Sequence, residues 1–501
     1  MNSDQHNTGR PRFVPITTNL RIFEDDGSGM RITGGRPRYE NRTDGAVQYV
    51  AVADTQNALV GYLWYNDADE AADWLPIKSG DSRASSHGGA WLDRLGAGKE
   101  RGLTPSQTVT ESLQQWPSAK YTHLVQGSLA QAPNLRTLYE RAGRFNMDRN
   151  WKVSASSLFG LAIGDAMGYP TEFLNMEQIA ATFGPWTEMG LPLSRGDVAR
   201  VTDDTQMALA VGEALVEAAG PYREGHGPRE AAAALTPYSV EVALRKHFGA
   251  WLRDPENNRA PGGTCLRACG NLERGMRWQD ATVIGSKGCG ANMRVTPVGL
   301  IPALGVEQRA GIAQLQAALT HGHPTALAAS DLTSHATWLL AHRLPLKDLL
   351  AELRAYAQRN RTTYHGDWLG DLAAKADAPD PAAFIAFGWD ETLRALDKAA
   401  EALRVKDFER DPCEAVGPGW IAEEALATAL YCLLVVKYDG HPRTVVARAA
   451  HSSGDSDSIA ALAGAFAGAK RGSSSWPPEW REAIEYKERI SALAAVWDSV
   501  D

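Results

Sequence analysis

The stretch HSSGDSDSIAALAGAFAGA, His451 to Ala469, sets two aspartates, Asp455 and Asp457, at the mouth of a helix made almost wholly of alanine and glycine. Such a helix has almost no polar surface of its own. Gly464 and Gly468 lie four apart and so share one face. SLFGLAIGDAMGYPTEF, ending at Phe173, repeats the device with Gly160, Gly164 and Gly168. Each glycine costs about 1 kcal/mol of helix propensity. Bare faces, however, let two helix backbones touch. The reading is an α-helical core in which close packing brings particular residues together.

RVTDDTQMALAV (Arg200–Val211) shows what those residues are. Thr202, Asp203 and Asp204 stand at a helix start, where free N–H groups and the macrodipole favour negative charge. Capping alone explains one such cluster. Asp455, Asp457 and Ser458 repeat it at a second helix start. Two carboxylate pairs with neighbouring hydroxyls are hard oxygen donors of the kind Mg²⁺, Mn²⁺ or Ca²⁺ prefers. If the two starts face each other, four carboxylates repel unless cations lie between them.

The remaining chain frames that core. Its 501 residues predict two domains. A net charge of -9 argues against a general nucleic-acid binder, so no nucleic-acid partner is expected. MNSDQHNTGRPRFVP has no apolar signal region, and no stretch is long enough to span a bilayer. Cys265, Cys269, Cys289, Cys413 and Cys432 form no zinc pattern, which suits reduced thiols in a cytoplasmic protein with no membrane partner.

Residues 1–148 are read as a small α+β domain. A polar arm with one or two short strands covers 1–45. Strands follow at Ala46–Ala53 and Ala58–Tyr65, then a short helix over NDADEAADWL (Asn66–Leu75). A further helix in LTPSQTVTESLQQW has Thr104 as cap and Gln107 completing a capping box. Residues 149–501 are read as all-α, closed by a Pro-started helix over PPEWREAIEYKERISALAAVW.

In order along the chain come GLAIGDAMGYPTEF, VTDDTQMALAVGEAL, GSKGCGANMRVTPVGL, LTHGHP and SSGDSDSIAALAGAFAGA. Together they resemble the ADP-ribosylglycohydrolase family over about residues 151–480. Members of that family include ADP-ribosylarginine hydrolases and the dinitrogenase-reductase-activating glycohydrolase. The resemblance implies an orthogonal all-α fold around two Mg²⁺ ions, with Mn²⁺ able to substitute. It implies Thr202, Asp203, Asp204, Asp455, Asp457 and Ser458 as metal ligands. It places the ADP-ribose against Gly285, Ser286, Gly288, Gly290, Met293 and His321, and holds Glu172 over the metals. The catalytic candidates are Glu172, Asp204 and Asp455, with the acid/base among them left open. Cys289 stands where the family often has Asn, and Lys287 where relatives can carry an aromatic residue.

The implied reaction is hydrolysis of the N-glycosidic bond between ADP-ribose and a protein side chain, arginine first. The alternatives are a serine, nucleic-acid-base or small-molecule linkage, or a non-enzymatic ADP-ribose-binding or structural relative. The intact TDDT and GDSDS clusters speak against the last. Residues 1–148 lie outside the resemblance. They are read either as a module that binds an ADP-ribosylating toxin, making the chain an immunity protein, or as a substrate-docking or oligomerisation domain.

Overall fold

The computed structural model describes residues 12–14, 37–77, 88–142 and 152–498, except 42, 44, 116, 120, 134, 136, 139–141, 195, 221–227, 437–440 and 473–474. Contacts group residues 19–151 into one compact unit and residues 152–501, with 1–18, into another. Most of the arm expected over 1–45 lies outside the described residues. Within it β1 (Arg12–Val14) pairs antiparallel with β8 (Leu191–Leu193), so the larger unit is mostly rather than wholly helical.

The smaller unit is an antiparallel sheet of β2 (Val47–Asp54), β3 (Leu59–Asn66), β4 (Ala71–Pro76), β5 (Ser118–Ala119), β6 (Thr122–Leu124) and β7 (Ala130–Ala132). The order is β4-β3-β2-β6-β5, with β7 also on β2. The expected hairpin is β2 and β3, Tyr49 facing Trp64. The helix expected over Asn66–Leu75 does not form. Asp67–Glu70 is a turn, closed by Glu70 N–H to Asp67 O (3.2 Å) and Asp69 N–H to Asn66 Oδ1 (2.9 Å), and the chain returns as β4. Asx turn chemistry outcompetes the helix propensity of Ala and Glu there. Helices α1 (Gly88–Glu100) and α2 (Pro105–Gln115) are the two longest among the unit's described residues. Thr104 and Gln107 exchange the capping-box hydrogen bonds at 2.9 and 3.3 Å.

The larger unit is built around one large apolar core, with a small separate cluster of Leu161, Ala208, Ala461 and Ala465. The helices that place the site are α3 (Val153–Gly168), α4 (Asp203–Ala219), α5 (Gly263–Glu273), α6 (Pro324–Ala341), α7 (Pro381–Val405), α8 (Ala422–Val435) and α9 (Ser456–Arg471). From Ser156 onward α3 is buried on all sides, as is α9 as far as Ala469. The single closing helix expected from Pro477 is two, α10 (Pro478–Ala483) and α11 (Lys487–Asp498). They part because Ile484 bridges to Ala199, Ala199 N–H donating to Ala483 O and Glu485 N–H to Ala199 O.

Candidate active site

Helices α3 and α9 run antiparallel with their glycines in register. Gly160 meets Gly464, Gly164 meets Ala460, Gly168 meets Ser456 and Asp457, and Gly468 meets Ser156. A β-carbon on any of these glycines would overlap the facing backbone. Ser157 Oγ donates across the seam to Ala465 O (2.9 Å). The antiparallel register sets the end of α3 against the start of α9. Ser456 Oγ donates to Gly168 O (3.0 Å), and Thr171 Oγ1 to Ala450 O (2.6 Å). Glu172, just past α3, is thereby carried to the mouth of α9. Glu172, Asp455 and Asp457 each bring a carboxylate oxygen within 4.8 Å of the others.

The other helix start joins them through α3. Asp165, fully buried, accepts from Thr202 N–H (2.9 Å), Thr205 N–H (3.0 Å) and Thr205 Oγ1 (2.6 Å). It ties the first turn of α4 to the glycine-faced helix. Thr202 Oγ1 caps α4, accepting from Asp204 N–H at 3.3 Å. Asp203 Oδ2 accepts from Gly262 N–H at 3.3 Å. Asp203, Asp204, Asp455 and Asp457 are each 6% exposed or less, and Thr202 and Ser458 are buried with them.

Capping does not account for these acids. Asp455 is the N-cap residue of α9, yet its side chain makes no capping bond. Asp204 Oδ1 and Glu172 Oε2 are buried without a hydrogen-bond partner. Burial first, and then the charge of Asp457, pushes Asp165 up to about 7, Asp203 to about 8 and Glu172 to about 9. The same two causes hold Asp204 and Asp455 well above the usual carboxylate range. Unpartnered, mutually repelling hard oxygens fit a divalent cation.

Without divalent cations these groups make stability depend on pH. The unfolded chain releases these protons near pH 4. The folded one keeps those of Asp165, Asp203 and Glu172 to about 7, 8 and 9. The folded state therefore holds more protons in that window, and its stability falls as pH rises through it. Melting of chelated protein is expected to drop between pH 5.5 and 8.5 more steeply than with Mg²⁺ present. Equal slopes would contradict this.

Around the acids lies the Gly-rich loop. Gly285 is exposed, Ser286, Gly288 and Gly290 are half-buried, and Met293 is buried. Ser286 Oγ lies 3.0 Å from Thr264 Oγ1. The loop is pinned to the start of α8 by Ala422 N–H to Lys287 O (2.9 Å) and Cys289 N–H to Trp420 O (3.0 Å). Lys287 Nζ bonds Glu391 of α7 (2.8 Å) and Glu423 of α8 (2.7 Å). The loop is thus locked by an ionic triad. Cys289 is buried close to Asp455 and Asp204, whose charges join burial in pushing its thiol well up. His321 lies buried beneath the loop, its ring against Gly288 and Gly290 and Nδ1 2.8 Å from Thr320 Oγ1. Burial pushes it down to about 3, so it is neutral.

Two features escaped the sequence reading. Asp165 sits inside the GDAMG motif, and an acid in an otherwise apolar helix was its signal. Phe173, at φ 66°, stacks on Trp420 with ring centroids 5.3 Å apart, both exposed. Nothing in their spacing marks them as partners.

Comparisons with known proteins point to one family over the larger unit. The ADP-ribosylglycohydrolase family model matches residues 153–500. An uncharacterized protein of Archaeoglobus fulgidus is 26% identical over 339 residues, 67% of this chain and 93% of its own. The ADP-ribosyl-[dinitrogen reductase] glycohydrolase of Rhodospirillum rubrum is 25% identical over 356 residues, 68% of this chain and 95% of its own. The ADP-ribosylarginine hydrolase Tri1 of Pseudomonas putida is 26% identical over 369 residues, 72% of this chain and 81% of its own. With the motifs, the buried acids and a match over residues 153–500, the chain belongs to the ADP-ribosylglycohydrolase family.

Proposed function

We propose that the chain is a divalent-cation-dependent hydrolase that releases ADP-ribose from a modified arginine side chain. The observation that carries the proposal is the meeting of Glu172, Asp455 and Asp457 within 4.8 Å in a buried setting. Asp203, Asp204, Asp455 and Asp457, with the hydroxyls of Thr202 and Ser458, would hold two Mg²⁺ ions, or Mn²⁺ in their place. When bound, such ions supply Lewis acidity and an activated water.

The chain's own groups do the remainder. Hydrolysis of an N-glycosidic bond passes through an oxocarbenium-like state and needs its water fixed near the anomeric carbon. Asp165 keeps Thr202 and the first turn of α4 in place through its hydrogen bonds. Glu172 Oε2, unpartnered on a loop anchored by Thr171, is the atom best placed to hand a proton to the departing guanidine. Asp455, beside it, and Asp204 are the other candidates. Gly285, Ser286, Gly288, Gly290 and Met293, on a loop braced by Lys287 and underlain by His321, would face the ADP-ribose.

Arginine is favoured by the Pseudomonas putida relative, an ADP-ribosylarginine hydrolase. Action as an immunity protein, with residues 1–148 binding an ADP-ribosylating toxin, is the extension of this reading to the smaller unit. The deciding experiment offers ADP-ribose linked to arginine, to serine and to a DNA base, with and without Mg²⁺. Mg²⁺-dependent release from the arginine conjugate is expected. Release from another conjugate alone would replace the acceptor, and no release from any would overturn the enzymatic reading.

A further inference from the structure

Three separate stretches of chain meet at one buried guanidinium. Arg259, 4% exposed, donates from Nη1 to Val201 O (2.7 Å) and to Glu485 Oε2. From Nη2 it donates to Glu485 Oε1 (2.9 Å) and to Glu256 Oε2 (2.7 Å). Glu485 Oε2 in turn accepts from Val201 N–H at 3.1 Å. Arginine fork and carboxylate thus close on the N–H and C=O of Val201, the residue before Thr202. The Ala199 bridge that splits α10 from α11 delivers Glu485 to this spot. The arginine's own loop runs on to Gly262, whose N–H holds Asp203 Oδ2.

The load on this joint is electrostatic. Asp203 and Asp204 are buried near Asp455 and Asp457, and once these acids ionise their like charges push the first turn of α4 outward. Asp165 anchors that turn from the α3 side, and the Arg259–Glu485 pair anchors the residue feeding it. A bidentate guanidinium–carboxylate pair is both strong and directional, which a single lysine contact is not. We infer that Arg259 and Glu485 are positioning residues. They fix the Val201–Asp204 backbone, and with it the spacing of the two aspartate pairs and their affinity for divalent cations. The inference rests on the proposed reading of the cluster as a cation site.

The test titrates Mn²⁺ alone into the full chain, reading free Mn²⁺ by electron paramagnetic resonance. Arg259→Ala is expected to bind Mn²⁺ about 10–100-fold more weakly, as loss of an outer support of a metal ligand does. Its turnover should recover as Mn²⁺ is raised. Glu485→Gln keeps the shape, removes the charge, and should shift affinity in the same direction; it decides the matter if Arg259→Ala does not fold. Arg489 makes an equally bidentate pair with Glu213 farther along α4, at 2.9 Å for both bonds. Arg489→Ala should lower the melting temperature and leave Mn²⁺ affinity unchanged. Wild-type affinity in both clamp variants, or an equal loss in Arg489→Ala, would overturn the inference alone. A wild type that binds no Mn²⁺ would overturn the cation reading, and this inference with it.

Discussion

Asp457→Ala is expected to lose turnover by about a hundredfold or more while its metal-free form melts no earlier than the wild type. The first part follows from orientation, since a displacement of about 1 Å at a reacting centre costs about that much. The second follows from charge. Asp457 is among the causes raising Asp165, Glu172, Asp203, Asp204 and Asp455 alike, so its removal lowers the cost of ionising all five. Set against that is a dipole contribution of at most about 1 kcal/mol at the start of α9 and the Asp457 bond to Ser458 N–H (3.0 Å). Asp204→Ala should behave likewise, because its Oδ1 is buried without a partner. Calorimetry without metal, beside turnover with it, separates this from capping. A variant that melts earlier yet keeps normal turnover per folded molecule would return these aspartates to the role of helix caps.

Gly164→Ala should be the most damaging conservative change in the α3–α9 seam. Its new β-carbon would lie inside the Ala460 carbonyl, with backbone on both sides and no side chain able to swing away. Overpacking of this kind costs about 1–3 kcal/mol or more. The gain in helix propensity returns about 1 kcal/mol of it. The helices must then part, and parting them draws Asp165 and Glu172 away from α9. Melting temperature and turnover should therefore fall together. Gly270→Ala is the control, since Gly270 lies within α5 and a β-carbon there meets nothing within 4 Å. It should hold or raise stability and leave turnover alone. If Gly164→Ala matches that control, close approach of the two helices is not what builds the site.

The glycine stripes and paired aspartates were legible because each breaks a local rule. Glycine weakens a helix, and like charges repel, so both need a reason beyond the helix itself. In the sequence the meeting of the two helix starts is a condition, and the contacts of α3 with α4 and α9 meet it. Asp165 was harder to see, because its partners Thr202 and Thr205 lie on another element. The same holds for Arg259 and Glu485, 226 residues apart. No periodicity links them. The stretch Asn66–Leu75 reads as helix for a tertiary reason. Both faces of its sheet are covered, so β4 shows the burial pattern BBiBBi rather than strict alternation. Without that period, an Ala- and Glu-rich stretch reads as helix.

The two helix starts and Glu172 are proposed to form one divalent-cation centre. Anomalous diffraction at the manganese edge, from crystals of the full chain soaked in Mn²⁺, tests it most directly. Expected are two peaks bounded by Asp203, Asp204, Asp455 and Asp457, with Glu172 at their edge, both lost in Asp457→Ala. An empty cluster at Mn²⁺ concentrations that support turnover, or peaks only at surface carboxylates, would contradict it.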